Sequence, residues 1–198
     1  MTELEEADLA GGAIDILTLL VKTGLCSSKG DARRNIQQGG VSADDVKVTD
    51  LLYQCYDAAA AGEDFAPLLG RIADRFGDII RELGVDFDLD TEIGILRDHL
   101  ASAPDRDYMA SRGEYLNSRI IAAYLDYPFI DPAETIFFAE DGSLDGAKTF
   151  RVLGERLAQA DRAVIPGFYG VMPTGEIHTF SRGGSDITGA IVAEAAMA

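Results

Sequence analysis

Three short stretches place residue types that bind anions and ammonium groups where backbone can approach a ligand. Ser181-Arg182-Gly183-Gly184-Ser185-Asp186 follows a strand-like run and precedes a helix-like one. Its two glycines let the backbone come close, and amides at a helix N-terminus bind negative charge. Ser111-Arg112-Gly113-Glu114 carries a guanidinium and a carboxylate around a glycine in a helical pattern, a position where glycine costs about 1 kcal/mol relative to alanine. Gly167-Phe168-Tyr169-Gly170 comes directly after the apolar run Ala163 to Pro166, as do loops lining crevices at strand ends. Each has an ordinary alternative: a helix cap, a surface ion pair and packed core aromatics, respectively. A fourth stretch is basic. Lys29 and Arg33 are four apart and Gln37 lies eight from Lys29, so two cations and an amide donor share one helix face suited to phosphates, or simply solvated.

The elements that must position these groups follow from periodicity. Ala13 to Thr23 carries a helical apolar stripe ending at Gly24, which suits the left-handed position after a helix. Ser27 or Ser28 caps a second helix over about Lys29 to Gln38, stopped by Gly39 and Gly40, and Val41, Val46 and Val48 then mark a short hairpin. Thr49 or Asp50 caps a helix to about Ala60. Phe65 to Leu83, Asp90 to about Ala101 and Asp105 to Leu125 read as three more helices. Beyond them come strand-like runs at Pro128 to Ile130, Glu134 to Phe138, Ala163 to Pro166 and Glu176 to Phe180. A helix over about Leu144 to Ala160 and one from Ser185 interleave with them. Strands alternating with helices predict a parallel α/β sheet.

Composition narrows the classes of function. The 198 residues carry 34 acidic against 17 basic side chains, a net charge of −17, which excludes a surface that coats nucleic acid generally. Four of the five cations in the first fifty residues nevertheless fall between Lys22 and Arg34, whereas Lys148 is the sole lysine after Lys47. The longest apolar run, Ile120 to Leu125, is six residues, against about 20 for a bilayer span, and the acidic MTELEEADLA start is unlike a signal peptide. Cys26 and Cys55 match no metal or disulfide pattern and are expected as small buried hydrophobes in a reducing, cytoplasmic setting.

Residues 14 to 50, and SKGDARRNIQQGGV above all, resemble the small RNA-binding module at the C-terminus of bacterial tyrosyl-tRNA synthetases. The resemblance implies an α+β module in which Lys29, Arg33, Arg34 and Gln37 contact RNA backbone. Asp44 and Asp45 depart from the family's Asn-Gly turn. From about Lys47 onward, KVTDLLY, ASRGEYLNSRIIAAYL, VIPGFYG and TFSRGGSDITGA resemble, in order, the catalytic region of aspartate kinases of the amino-acid kinase family. That resemblance implies a three-layer parallel-sheet kinase fold, incomplete here, with a helical insertion. It implies phosphorylation of the β-carboxylate of L-aspartate by MgATP, the first step toward lysine, threonine and methionine. It also implies substrate contacts at Thr49, Glu114, Phe168, Arg182, Ser185 and Asp186, with Gly183 and Gly184 in an anion-binding turn. The chemistry suits them: a fork for a carboxylate, an anion for an ammonium, and amides for developing charge.

The expected division is 1–48 and 49–198. Ser42 matches a substrate-holding serine only if the joint, which fits both families from Val41 to Asp50, is read as kinase sequence. The family's Lys-Phe-Gly-Gly-Ser loop has no counterpart before Thr49, and its nucleotide-binding half is not recognisable. No catalytic lysine, no resident metal, no tightly held MgATP and little unaided turnover are therefore expected. Unpaired sheet edges would favour self-association. The alternative is an RNA-binding protein acting through residues 14–50.

Overall fold

Five aspartates open helices. Asp15, Asp88, Asp105, Asp131 and Asp145 each accept a backbone N–H of the first turn, a cap worth about 1 kcal/mol, so part of the acidic excess has a local structural use. The computed structural model describes residues 15–37 and 46–197. The chain divides into two units, Met1–Val46 and Lys47–Ala198.

In the first unit, α1 (Ile16–Lys22) packs on α2 (Lys29–Gln37), enclosing Leu20, Cys26 and Ala32 with Leu17 against them. The first helix is capped by Asp15, whose carboxylate takes the Leu17 and Thr18 amides at 3.0 and 3.1 Å, while Ala13, the expected start of the helical stripe, lies outside the described residues. Gly24 follows it at φ +74°. Ser28 caps α2 by accepting the Asp31 amide at 3.1 Å, while the Ser27 amide and hydroxyl donate back to Asp31. Those bonds from Ser27 hold the Asp31 carboxyl below the usual carboxylate range. Val41 to Asp45, and with them the expected hairpin turn, Ser42, Asp44 and Asp45, lie outside the described residues.

The second unit opens with four helices: α3 (Val48–Ala61), α4 (Ala66–Leu83), α5 (Leu89–Ser102) and α6 (Arg106–Leu125). α3 packs on α4, α5 and α6, and α4 on α5, burying Leu52, Cys55, Ile72, Leu96, Met109, Leu116 and Ile120. Burial pushes the Cys55 thiol up to about 11, so it behaves as a hydrophobe. Two expected caps are displaced. Val48 belongs to α3 rather than to a hairpin strand, and Lys47 stands at the N-cap with no side-chain bond, so Thr49 and Asp50 lie within the first turn. Asp90 likewise lies inside α5, which Asp88 opens by accepting the Thr91 amide at 3.1 Å.

The remainder is α7 (Pro132–Thr135), α8 (Gly146–Leu157), β1 (Tyr169–Val171), β2 (Ile177–Thr179) and α9 (Gly184–Met197). Ile130, Ile136, Leu153, Ile191 and Ala195 form its core. The expected parallel sheet is reduced. Among the described residues the only sheet is the antiparallel pair β1–β2, with Tyr169 opposite Thr179 and Val171 opposite Ile177. Five residues join those strands, too few for the crossover that parallel strands need. Parallel pairing survives as single bridges, Phe129 with Val164 and Phe137 with Val171. Pro128 and Pro166 sit at the ends of their runs and Pro132 lies between two, and the Asp131 cap turns 132–135 into a helical turn, so extended chain resumes only at Ile136. The architecture is that of a partial α/β domain, mostly helical.

Candidate functional site

The turn and the loop singled out above are built against each other. A Cβ on Gly184 would fall 2.6 Å from Phe168 Cβ, and one on Gly167 would fall 2.8 Å from Ser185 Oγ, so only glycine allows this approach. Three hydrogen bonds fix the contact. The Phe168 amide donates to Thr188 Oγ1 at 2.9 Å, the Thr188 hydroxyl donates to the Gly184 carbonyl at 2.9 Å, and the Phe180 amide donates to the Phe168 carbonyl at 2.9 Å. Phe168 is held at φ +72°, a conformation that costs a bulky residue free energy and that clusters at binding sites.

This joint borders a cleft of about 600 Å³. Thr49 and Tyr53 reach it from α3, Arg106, Asp107 and Glu114 from α6, Phe168 from the loop before β1, and Thr179 to Asp186 from the end of β2 into α9. Every residue assigned to substrate from the resemblance, Thr49, Glu114, Phe168, Arg182, Ser185 and Asp186, lines it, together with Gly183 and Gly184. Sequence reasoning missed Tyr53, Arg106 and Asp107. Tyr53 had a signal, since it follows Thr49 by four residues on the same helix face. Arg106 and Asp107 had none beyond their place at a helix start.

Asp107 ties α6 to the hairpin. Its Oδ2 accepts the Thr179 amide at 2.9 Å and stands 3.2 Å from His178 Nδ1. That tether brings the Arg182 turn, three residues beyond Thr179, to the mouth that Arg106 borders. The lining thus combines two guanidiniums, three carboxylates, hydroxyl-bearing residues that include Thr49 and Ser185, and the N-terminal end of α9. Such a lining can grip a small ligand bearing both ammonium and carboxylate groups.

The ion pair offered as an alternative for Arg112 and Glu114 does not form. Residues two apart on a helix face different ways: Glu114 is exposed at the cleft, while Arg112 is 7% exposed and inside. Its guanidinium carbon lies 4.5, 4.2 and 5.4 Å from the ring centres of Tyr108, Tyr115 and Tyr169. Lys148 is not among the residues that line the cleft; its ammonium sits 3.7 Å from the centre of the Phe137 ring. Among the described residues no group of three or more His, Cys, Asp or Glu is arranged to hold a metal ion.

The basic helix of the first unit is a second candidate. Lys29, Arg33 and Arg34 are exposed on α2. Lys29 Nζ lies 3.6 Å from Asp15, and Arg34 lies 3.4 Å from Asp31. The Gln37 side chain lies outside the described residues.

Comparison with known proteins separates the same two parts. A family model described as the tyrosine–tRNA ligase SYY-like C-terminal domain matches residues 1–68. The tyrosine–tRNA ligase of Lachnoclostridium phytofermentans is 60% identical over 38 residues, 19% of this chain and 9% of that protein. Aspartokinase 3 of Bacillus subtilis is 33% identical over 168 residues, covering 76% of this chain and 36% of that protein. The crystal structure of Clostridium acetobutylicum aspartate kinase superposes with a TM-score of 0.76 at 41% identity, covering 79% of this chain and 36% of that one. Escherichia coli aspartokinase III, solved with aspartate and ADP, shares the fold at 22% identity and a TM-score of 0.52, over 78% of this chain and 39% of its own. The chain therefore spans about a third of the length of the aspartate kinases it matches, and the ligase match runs on past α3 into the start of α4. The sequence thus carries two likenesses in succession: a stretch similar to the tyrosyl-tRNA synthetase C-terminal domain, and, over about three-quarters of the chain, similarity to part of aspartate kinases.

Proposed function

We propose that the Lys47–Ala198 unit is the amino-acid half of an aspartate kinase site, which binds L-aspartate and presents its β-carboxylate for phosphorylation. One observation carries the reading: residues from four separated strings, chosen by resemblance alone, line a single cleft whose charges match an amino acid with two carboxylates. Arg182 offers a two-pronged donor for one carboxylate, and Glu114 an anion for the ammonium. The hydroxyls of Thr49 and Ser185 and the amides at the start of α9 face negative charge, and Phe168 walls the cleft. MgATP, as co-substrate, supplies the phosphoryl group that the β-carboxylate accepts, giving β-aspartyl phosphate and ADP.

The cations lining the cleft are Arg106 and Arg182, with no lysine among them. In-line transfer gathers several anions, so turnover by this chain unaided is slow and binding is its principal activity. Titration of the full chain with labelled L-aspartate tests this. The wild type binds L-aspartate in preference to glycine, and Arg182→Ala and Glu114→Gln each weaken binding at least about tenfold, as loss of a charge-assisted contact does. Equal affinity for aspartate and glycine refutes the reading. So would unaided production of aspartyl phosphate at rates typical of intact family members, as far as its slow-turnover part is concerned.

A second reading, RNA binding through Lys29, Arg33 and Arg34, is favoured by the ligase match over residues 1–68 and by the exposure of those cations.

A further inference from the structure

We infer that Arg106 is a second anion fork in the cleft and sets its preference for a ligand with two carboxylates over one bearing a carboxylate and an amide. The inference rests on the aspartate reading and adds to it a residue that the resemblance did not supply. Arg106 opens α6 and borders the cleft with Arg182. Its guanidinium carbon lies 4.2 Å from the centre of the Tyr53 ring, and Tyr53 itself lines the cleft one turn after Thr49.

Stacking occupies the flat face of a guanidinium, whereas its five N–H donors lie in the plane and point outward from the edge. Tyr53 therefore orients the fork without consuming a donor. The neighbouring carboxylate does not neutralise it: Asp107 is committed to the Thr179 amide and His178, and Arg106 forms no ion pair among the described residues. With Asp107 so committed, the remaining charges of the cleft match a dicarboxylic amino acid, Glu114 and Asp186 for the ammonium and Arg182 and Arg106 for the two carboxylates. A ligand with an amide in place of the second carboxylate gains nothing from the second fork, which is how one residue creates selectivity.

Calorimetric titration of the full chain with L-aspartate and with L-asparagine tests this in the wild type, Arg106→Gln, Arg106→Lys and Tyr53→Leu. Arg106→Gln is expected to weaken aspartate about tenfold, the size of one charge-assisted hydrogen bond, and asparagine less than twofold, so the preference collapses. Arg106→Lys keeps the charge and retains part of the preference; Tyr53→Leu keeps the fork but releases it, and falls between. Equal losses for both ligands, or an undiminished preference in Arg106→Gln, overturn the inference while leaving the aspartate reading standing. Failure of the wild type to bind aspartate overturns both.

Discussion

A guanidinium sealed among three tyrosine rings supports the cleft from behind. Arg112 donates from Nε to Ser111 Oγ at 3.0 Å, and its Nη2 has no partner. Tyr169, one of its rings, adjoins the strained Phe168 and donates to Asp131 Oδ1 at 2.8 Å. Burial pushes the Tyr169 hydroxyl far above the ordinary tyrosine range, so it remains a donor. His99 packs at the edge of this cluster, 3.8 Å from the Tyr108 ring centre, with Nε2 buried and unpartnered. Burial lowers its pKa from the ordinary 6.5; Asp105 opposes that shift and Arg112 adds to it. The unfolded chain therefore binds the proton first, and the contribution of His99 to stability, present above its unfolded pKa, is lost as pH falls through 6.5 toward the lowered value. The melting temperature should drop between about pH 7.5 and 5.5, and His99→Phe should shrink that drop. An identical drop in the variant removes His99 as its cause. Asp88 and Asp141, held low chiefly by bonds from Thr91 and Ser143, lose stability only below their ordinary 3.8 and do not confuse the window. The types Arg112 and Glu114 were legible in the sequence, but their opposite directions required the helix to be drawn in three dimensions. His99 gave no signal, because its stacking partner comes from the next helix.

Among the elements, helices were read well, since aspartate caps and apolar stripes are local signals. Asp105 opened α6 as expected, and Leu83 and Leu125 ended their helices as read. The sheet is less legible in the sequence, because pairing depends on partners distant along the chain, and the five-residue connection that forces β1 and β2 antiparallel is the one local sign of it. Gly113, expected to mark function by its cost in a helix, has a packing explanation that also serves the site. A Cβ there would meet Leu52 Cδ1 at 3.4 Å, Val48 Cγ1 at 3.6 Å and Thr49 Oγ1 at 3.9 Å, so α3 packs on α6 at this point, next to two residues of the cleft, Thr49 and Glu114. A methyl group fits at ordinary contact distance; a branched chain does not. Gly113→Ala should be neutral or stabilising by up to about 1 kcal/mol from helix propensity. Gly113→Ile should cost about 1–3 kcal/mol by overpacking and should weaken aspartate binding by prising Thr49 from Glu114. Denaturant melts with ligand titration separate the two. Destabilisation by alanine as large as by isoleucine means that the crossing has no spare room, contrary to these distances.

At the scale of the whole molecule, a net charge of −17 stands against the exposed cations of α2. Lys29 and Arg34 already have carboxylates of Asp15 and Asp31 within 4 Å, but all four side chains are partly or largely exposed. Exposed pairs of this kind are worth about 1 kcal/mol or less, so a phosphate can displace the carboxylate. Binding to structured RNA is therefore expected to be electrostatic and weaker than about micromolar, opposed by the acidic remainder of the chain. Counterion release scales with the number of phosphates neutralised. Three cations then give a slope of log affinity against log salt of about −2 to −3 between about 50 and 200 mM. Replacing Lys29, Arg33 or Arg34 by glutamine, one at a time, should reduce that slope by about one each. Replacing Lys148, in the other unit, should leave it unchanged. A tight complex that ignores salt would mean that α2 is only a solvated face and that contacts elsewhere bind the RNA. A steeper slope would mean that more than three cations engage, and substituting Lys22 and Lys47, the other two basic residues of the first fifty, would locate them.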